Sequence, residues 1–220
     1  IASIPGYARM ISSLLIAAGS PSYAATTSVC KIARTAGNSA KNSCVIRAAV
    51  AGKQFDGPEN RGIAERCIYW GNEGPPMLPV GYNSTLQITQ GPGYVGIVQE
   101  MIHDTRIIPT DGRSHVSENI RQFFGDPVGH WEGDTLVVDI TAFNDKTELP
   151  GGFRHTESLH VIERFTRTAD GIQYEATVED PNVFVRPWKM VRTFQQRTDL
   201  EKVDEFVCEN NHDYSKLFKQ

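Results

Sequence analysis

The chain reads as an all-β protein, an antiparallel up-and-down meander closing into a lipocalin-like barrel. Three observations predict this. Short segments rich in valine, isoleucine and threonine alternate apolar and polar residues with the period of a strand. Twelve prolines and nineteen glycines supply frequent turns. Gly91-Pro92-Gly93, Gly133-Asp134 and Ala169-Asp170-Gly171 each lie between two such segments, which is a hairpin signal. A meander of about eight strands tends to close because closure removes exposed edges, and such a barrel has room for one small ligand. A β-sandwich is the second architecture the pattern allows, and an α+β cone with N-terminal helices the third.

In chain order, residues 1–24 come first. Arg9 precedes the apolar run Met10–Ala18, and Ser22-Tyr23-Ala24 follows as a small-residue site. This is the pattern of a secretory signal peptide, or else of a retained N-terminal helix. The run is too short for a spanning helix, which needs about 20 residues. Residues 25–66 form a helical or irregular arm, with Ile32, Val45, Ile46 and Val50 loosely at helical spacing.

The β domain spans 67–220. Its first segment, 71–81, is broken by prolines and glycines and forms an apolar loop. Strands are expected at 86–90 and 94–101, at 104–109, at 130–132 and 135–141, at 159–166 and 172–179, at 188–195 and at 205–208. A serine followed by an acid at Ser117-Glu118 predicts one short helix over 117–124. Residues 144–156 read as a polar, glycine-rich loop.

Four cysteines, Cys30, Cys44, Cys67 and Cys208, have no CxxC spacing, so zinc, redox and haem-attachment motifs are not indicated. Disulfides suit an exported chain. Three connectivities are open, and the favoured one joins Cys30 to Cys44 and Cys67 to Cys208. The longer loop would contribute about 4–5 kcal/mol in the chain-entropy picture.

The candidate chemistry centres on YVGIVQEMIHDTRIIPTD, residues 94–111. An extended strand through this stretch puts Glu100, Asp104 and Arg106 on one face and His103 on the other. On 159–166, Glu163 falls on the apolar face with Leu159, Val161 and Phe165, while His160 lies on the opposite face. A carboxylate on a core-facing side needs a partner or a raised pKa. If both strands face one interior, Glu100 and Glu163 approach Arg106. That arrangement suits acid/base work or a purely structural ion-pair network. Tyr94, Trp131, Tyr174 and Trp188 are candidates to line an apolar cavity. A metal held by His103, His115 and His160 with one carboxylate has no support in local spacing, so no metal is expected.

Net charge is −4 and the pI about 5.9, with no basic stripe, which argues against nucleic acid as a partner. There is no GxSxG elbow or P-loop, and the GxGxxG spacing at Gly91-Pro92-Gly93-Tyr94-Val95-Gly96 falls on a hairpin signal rather than between a strand and a helix, so no cofactor is expected.

The phrases EMIHDTRIIPTDGRSH, HWEGDTLVVDITAFND, ESLHVIERFTR and YEATVEDP, in this order, resemble a large group of exported bacterial β-rich proteins. That group is known by these phrases rather than by an activity. The resemblance covers roughly Ala64 to Tyr214. The Gly-Asp-Pro-Asp-Leu-Gln-Gly segment common in the group is absent here. The resemblance implies export and draws attention to Glu100, His103, Asp104, Arg106, His115, Trp131, Asp139, His160, Glu163 and Asp180. It supplies no reaction.

The functional expectation is an exported, periplasmic or extracellular enzyme that needs no cofactor. It performs elimination, dehydration or isomerisation on a small apolar or aromatic molecule inside the barrel. Glu163 or Glu100 acts as base or acid, with Asp104 beside them, His103 or His160 is a proton partner, and Arg106 holds an oxygen. The small-molecule ligand is the expected partner, without stable membrane insertion, and a homo-oligomer is compatible. A non-catalytic carrier of a hydrophobic ligand and a structural or assembly protein are the alternatives.

Overall fold

The computed structural model describes residues 14–18, 62–70, 74–78, 83–149 and 153–203. It is all-β and antiparallel, with nine strands in one sheet and a two-stranded ribbon beside it. The strands are β1 (Leu14–Ala18), β2 (Thr85–Gly91), β3 (Tyr94–Gln99), β4 (Thr105–Pro109), β5 (Asp126–Glu132) and β6 (Thr135–Thr141). The ribbon is β7 (Glu148–Leu149) with β8 (Phe153–Arg154). Then come β9 (His160–Arg167), β10 (Gly171–Glu179) and β11 (Trp188–Gln196).

The three sequence-expected hairpins form as β2–β3, β5–β6 and β9–β10. Gly93 and Gly133 take positive φ at their turns, which suits glycine there. The order is β4-β3-β2-β1-β11-β10-β9-β6-β5, so the first and last strands pair with each other. No hydrogen-bonded ladder joins β4 to β5 among the described residues, and no closed barrel is found. The two strands do approach across that seam: a Cβ added to Gly129 of β5 would stand 2.8 Å from Ile108 Cγ2 of β4.

Alternation sets the core. Leu86, Ile88, Val95, Ile97, Ile108, Leu136, Val138, Ile140, Val161, Phe165, Ile172, Tyr174, Ala176, Val178 and Phe194 are buried together on one side of the sheet. Burial of this apolar surface is the main force holding the sheet together, at about 25 cal/mol per Å².

Several expectations are corrected. Residues 117–124 form no helix. Ile120 N–H donates to Ser117 C=O in a turn, and the backbone of Gln122 then bonds Ala142 and Asn144 rather than an upstream turn. Ile120 is half exposed, so the segment has no apolar stripe to bury and a short helix gains nothing from packing. The expected 144–156 loop contains the β7–β8 ribbon. Leu14–Ala18 are extended rather than helical and pair with both β2 and β11. Residues 25–61 and the strand at 205–208 lie outside the described residues, while 62–68 form a single hydrogen-bonded turn.

Candidate functional site

Two groups of ionisable side chains stand on opposite sides of the same strands. The inner group is built on Glu163. Its neighbours in register, Val138 on β6 and Ala176 on β10, are apolar and buried, so its carboxylate points into the core with no exposure. Arg106 reaches it from β4 across the interior. Arg106 Nη1 donates to Oε1 at 3.2 Å and Nη2 to Oε2 at 2.5 Å. Tyr174 O–H donates to Oε1 at 2.7 Å, and the Met77 N–H donates to the tyrosine oxygen at 2.9 Å.

Burial works against the Arg106 charge, but the adjacent Glu163 charge and its hydrogen bonds outweigh it and raise the guanidinium pKa. Burial, then the Glu163 charge, pushes the Tyr174 phenol well above its usual value of 10.0. Both carboxylate oxygens are therefore occupied by protein groups inside packed hydrocarbon. The Glu163–Arg106 approach read from the sequence is present, but without Glu100.

Glu100 and Asp104 do not share a strand face with Arg106, because the strand breaks after Gln99. Met101–His103 form a 3-10 turn in which Ile102 (φ 60°) and His103 (φ 51°) are left-handed. That conformation is unusual for any side chain and most of all for a β-branched one. The break sends Glu100 back to β2, where Oε2 accepts the Thr85 N–H at 3.0 Å. Asp104 is half-buried with Oδ2 unpaired, and burial raises its pKa against the opposing effect of His103. His103 is exposed on the turn.

A cleft of about 20 Å³ lies beside this break, lined by Met77, Thr85, Gln99, Glu100, Arg192 and Phe194 among others. It is large enough for about one water molecule. Nothing in the local spacing marks Arg192, which lies on β11. It stacks 4.3 Å over the Phe194 ring and donates to Met77 C=O at 3.2 Å, and burial brings its pKa down to about 10.

The outer group is a row of alternating carboxylates and imidazoles. Asp126 opens β5, Asp139 lies on β6, His160 opens β9 and Glu179 closes β10, all on the face away from the core. The loop after β4 returns over this face and delivers His115. Asp126 Oδ2 anchors that loop by accepting both His115 Nδ1–H at 3.0 Å and the Val116 N–H at 2.9 Å. His160 Nε2 stands 2.5 Å from Asp139 Oδ1. His115 Nε2 stands 3.7 Å from Asp139 Oδ2, and His160 Nδ1 stands 3.8 Å from Glu179 Oε2.

A carboxylate only accepts, so Nδ1 of His115 and Nε2 of His160 carry the protons of these two bonds. Each neutral ring then presents a second nitrogen, His115 Nε2 and His160 Nδ1, as a lone pair outside hydrogen-bonding distance. The rings are about one-third exposed and Asp139 is 46% exposed, so the row is open to small molecules.

Other expected residues divide as follows. Tyr174 is interior, but as a hydrogen-bonded member of the Glu163 network rather than a cavity wall. Tyr94 is 43% exposed on the outer side and lines no interior space. Trp131 and Trp188 pack partly buried at the core margin, and Trp188 meets Phe184 edge-on at 6.0 Å. Asp180 is buried as a turn anchor, accepting the N–H groups of Thr156 and Asn182. Of the three histidines considered for a metal, His115 and His160 flank one carboxylate and His103 is elsewhere. Cys67 is disulfide-bonded, and Cys30, Cys44 and Cys208 lie outside the described residues.

No protein-family profile, curated protein or solved structure matches this chain.

Proposed function

We propose that the chain is an exported enzyme performing proton transfer on a small molecule at the outer carboxylate–imidazole row, with His160 as the base. The observation that carries this is the Asp139–His160 pair. Asp139 fixes the ring by accepting from Nε2 at 2.5 Å, which leaves Nδ1 of the neutral ring as a lone pair on a part-exposed face, 3.8 Å from Glu179 Oε2. A carboxylate-oriented imidazole is the arrangement that general-base catalysis uses. Elimination, dehydration and isomerisation all need this step and no redox partner.

Glu163 is better suited to structure. Its oxygens are already held by Arg106 and Tyr174, and no substrate atom has room beside them. Both terminal nitrogens of Arg106 are likewise committed to Glu163, and its Nε is buried without a partner. A lipocalin-like closed form is supported by the β1–β11 pairing and by the Gly129–Ile108 approach at the β4–β5 seam. Export rests on the Arg9–Ala24 pattern and the four cysteines. The segment carrying that pattern also supplies β1, so the sheet described here includes a strand that processing at Ala24 would remove.

The test is incubation of the full chain with a small-molecule extract in D2O, read by mass spectrometry for deuterium incorporation or mass change. General acid/base catalysis contributes about 10²–10⁴-fold, so His160→Ala and Asp139→Asn should each lower the rate by at least about 100-fold. Turnover retained in His160→Ala refutes the role. Stoichiometric retention of a ligand without chemistry replaces the enzyme by the carrier.

A further inference from the structure

The outer row contains a gap that the proton-transfer reading does not use. His115 Nδ1 donates to Asp126, so in the neutral ring Nε2 is a lone pair, and it faces Asp139 Oδ2 at 3.7 Å. Asp139 Oδ1 is the oxygen engaged by His160, which leaves Oδ2 as a second unshared acceptor. In the neutral ring these are two acceptors 3.7 Å apart, too long for a direct hydrogen bond and the right spacing for a water or a cation to bridge.

We infer that this gap is a binding site for a first-row divalent cation, held by His115 Nε2 and Asp139 Oδ2. Zinc takes imidazole nitrogen at about 2.0–2.1 Å and carboxylate oxygen at about 2.0–2.2 Å, so two ligands on one ion stand roughly 3.3–3.8 Å apart at ordinary ligand angles. The gap falls in that span. The surroundings fit as well. A metal-bound histidine usually donates its other N–H to a carboxylate, and a metal-bound carboxylate is itself hydrogen-bonded. Asp126 fills the first of these positions and His160 Nε2–H the second.

Among the described residues no three His, Cys, Asp or Glu side chains gather as a ligand set. Two side chains therefore hold the ion and water completes its coordination, which makes the site open and exchangeable. An imidazole–carboxylate pair selects zinc, cobalt or nickel over calcium and magnesium. The inference stands apart from the proposed reaction, because binding is read without turnover.

The experiment titrates ZnCl2 into the tag-free, disulfide-intact full chain by calorimetry, with CoCl2 absorption as a spectroscopic check on nitrogen ligation. One ion per chain is expected at sub-millimolar concentration. His115→Ala and Asp139→Asn should each weaken binding by at least tenfold. Asp126→Asn keeps the side-chain shape and should weaken it by about 10–100-fold. Near-ultraviolet circular dichroism separates these losses from unfolding. His130→Ala, a histidine paired only with Glu132, should leave binding unchanged. No saturable binding up to 1 mM, or equal affinity in folded His115→Ala and wild type, overturns the site.

Discussion

Removing the guanidinium of Arg106 is the sharpest test of the interior network. Arg106→Met keeps most of the side-chain length and the hydrocarbon packing while deleting both bonds to Glu163, the 3.2 Å and the 2.5 Å one. Glu163 is left with zero exposure and only the Tyr174 hydroxyl as a donor. Stranding one member of a buried pair costs about 3–5 kcal/mol, whereas replacing both by apolar groups is often neutral or stabilising. Arg106→Met should therefore lose that amount, and Arg106→Met/Glu163→Leu should recover most of it. With a urea slope of about 2 kcal/mol/M the single variant shifts the midpoint by roughly 1.5–2.5 M. The assay is equilibrium urea unfolding followed by tryptophan fluorescence under non-reducing conditions. A single-variant shift below about 0.5 M, or a double variant less stable than the single, would refute the reasoning.

Three further outcomes follow from the same geometry. The Tyr174 phenol keeps its proton in the fold at a pH where the unfolded phenol loses it, so stability falls as pH rises past about 10. Tyr174→Phe should cost about 1–3 kcal/mol at neutral pH and flatten the alkaline limb; an unchanged limb in urea melts at pH 9–11 counts against this. The Asp104 pKa is raised by burial, so the folded state disfavours its charge above the usual carboxylate range. Asp104→Asn should then raise the thermal midpoint at pH 7 but not at pH 3, and a fall at pH 7 would contradict the assignment. Gly129→Ala places a Cβ 2.8 Å from Ile108 Cγ2 and 3.3 Å from Leu136 Cδ1, so it should cost about 1–3 kcal/mol in chemical denaturation; a neutral result means β4 and β5 are not held against one another.

Much of the sheet was legible because turn residues and alternation agreed. Gly133-Asp134 lies between segments whose parity is unambiguous, and β6 forms over the expected residues, 135–141. Glu163 was legible for the same reason, being the charged residue in an apolar series of period two. The break after Gln99 was not. Alternation assumes extended backbone, and nothing in the composition of Ile102 and His103 announces a left-handed conformation. That error carried Glu100 and Asp104 onto the wrong face. The outer row was hidden for a different reason: Asp126, Asp139, His160, Glu179 and the His115 loop belong to five separate segments. The successive pairing of β5, β6, β9 and β10 brings them together, and no local spacing records it.

The inner and outer groups are linked by strand parity. Val138 pairs with Glu163 and Asp139 with Ile162, so adjacent residues of β6 serve opposite sides of the sheet. A slip of one residue would turn Asp139 inward and Val138 outward, because the side-chain period of a strand is two. Apolar packing alone resists such a slip, because Thr135, Asp139 and Thr141 would replace Leu136, Val138 and Ile140 against the core. The Arg106–Glu163–Tyr174 network ties β4, β9 and β10 together rather than β6, so what it holds is the inward side of β9 at Glu163 and with it the outward side at His160. The buried pair thus favours the side of β9 on which His160 stands, and the apolar alternation of β6 sets Asp139 on the same outer face. On this argument a variant such as Arg106→Met that still folds should loosen the outer row before it loses the core. Its effect on His160 chemistry would then be one of position, transmitted through the β6–β9 ladder.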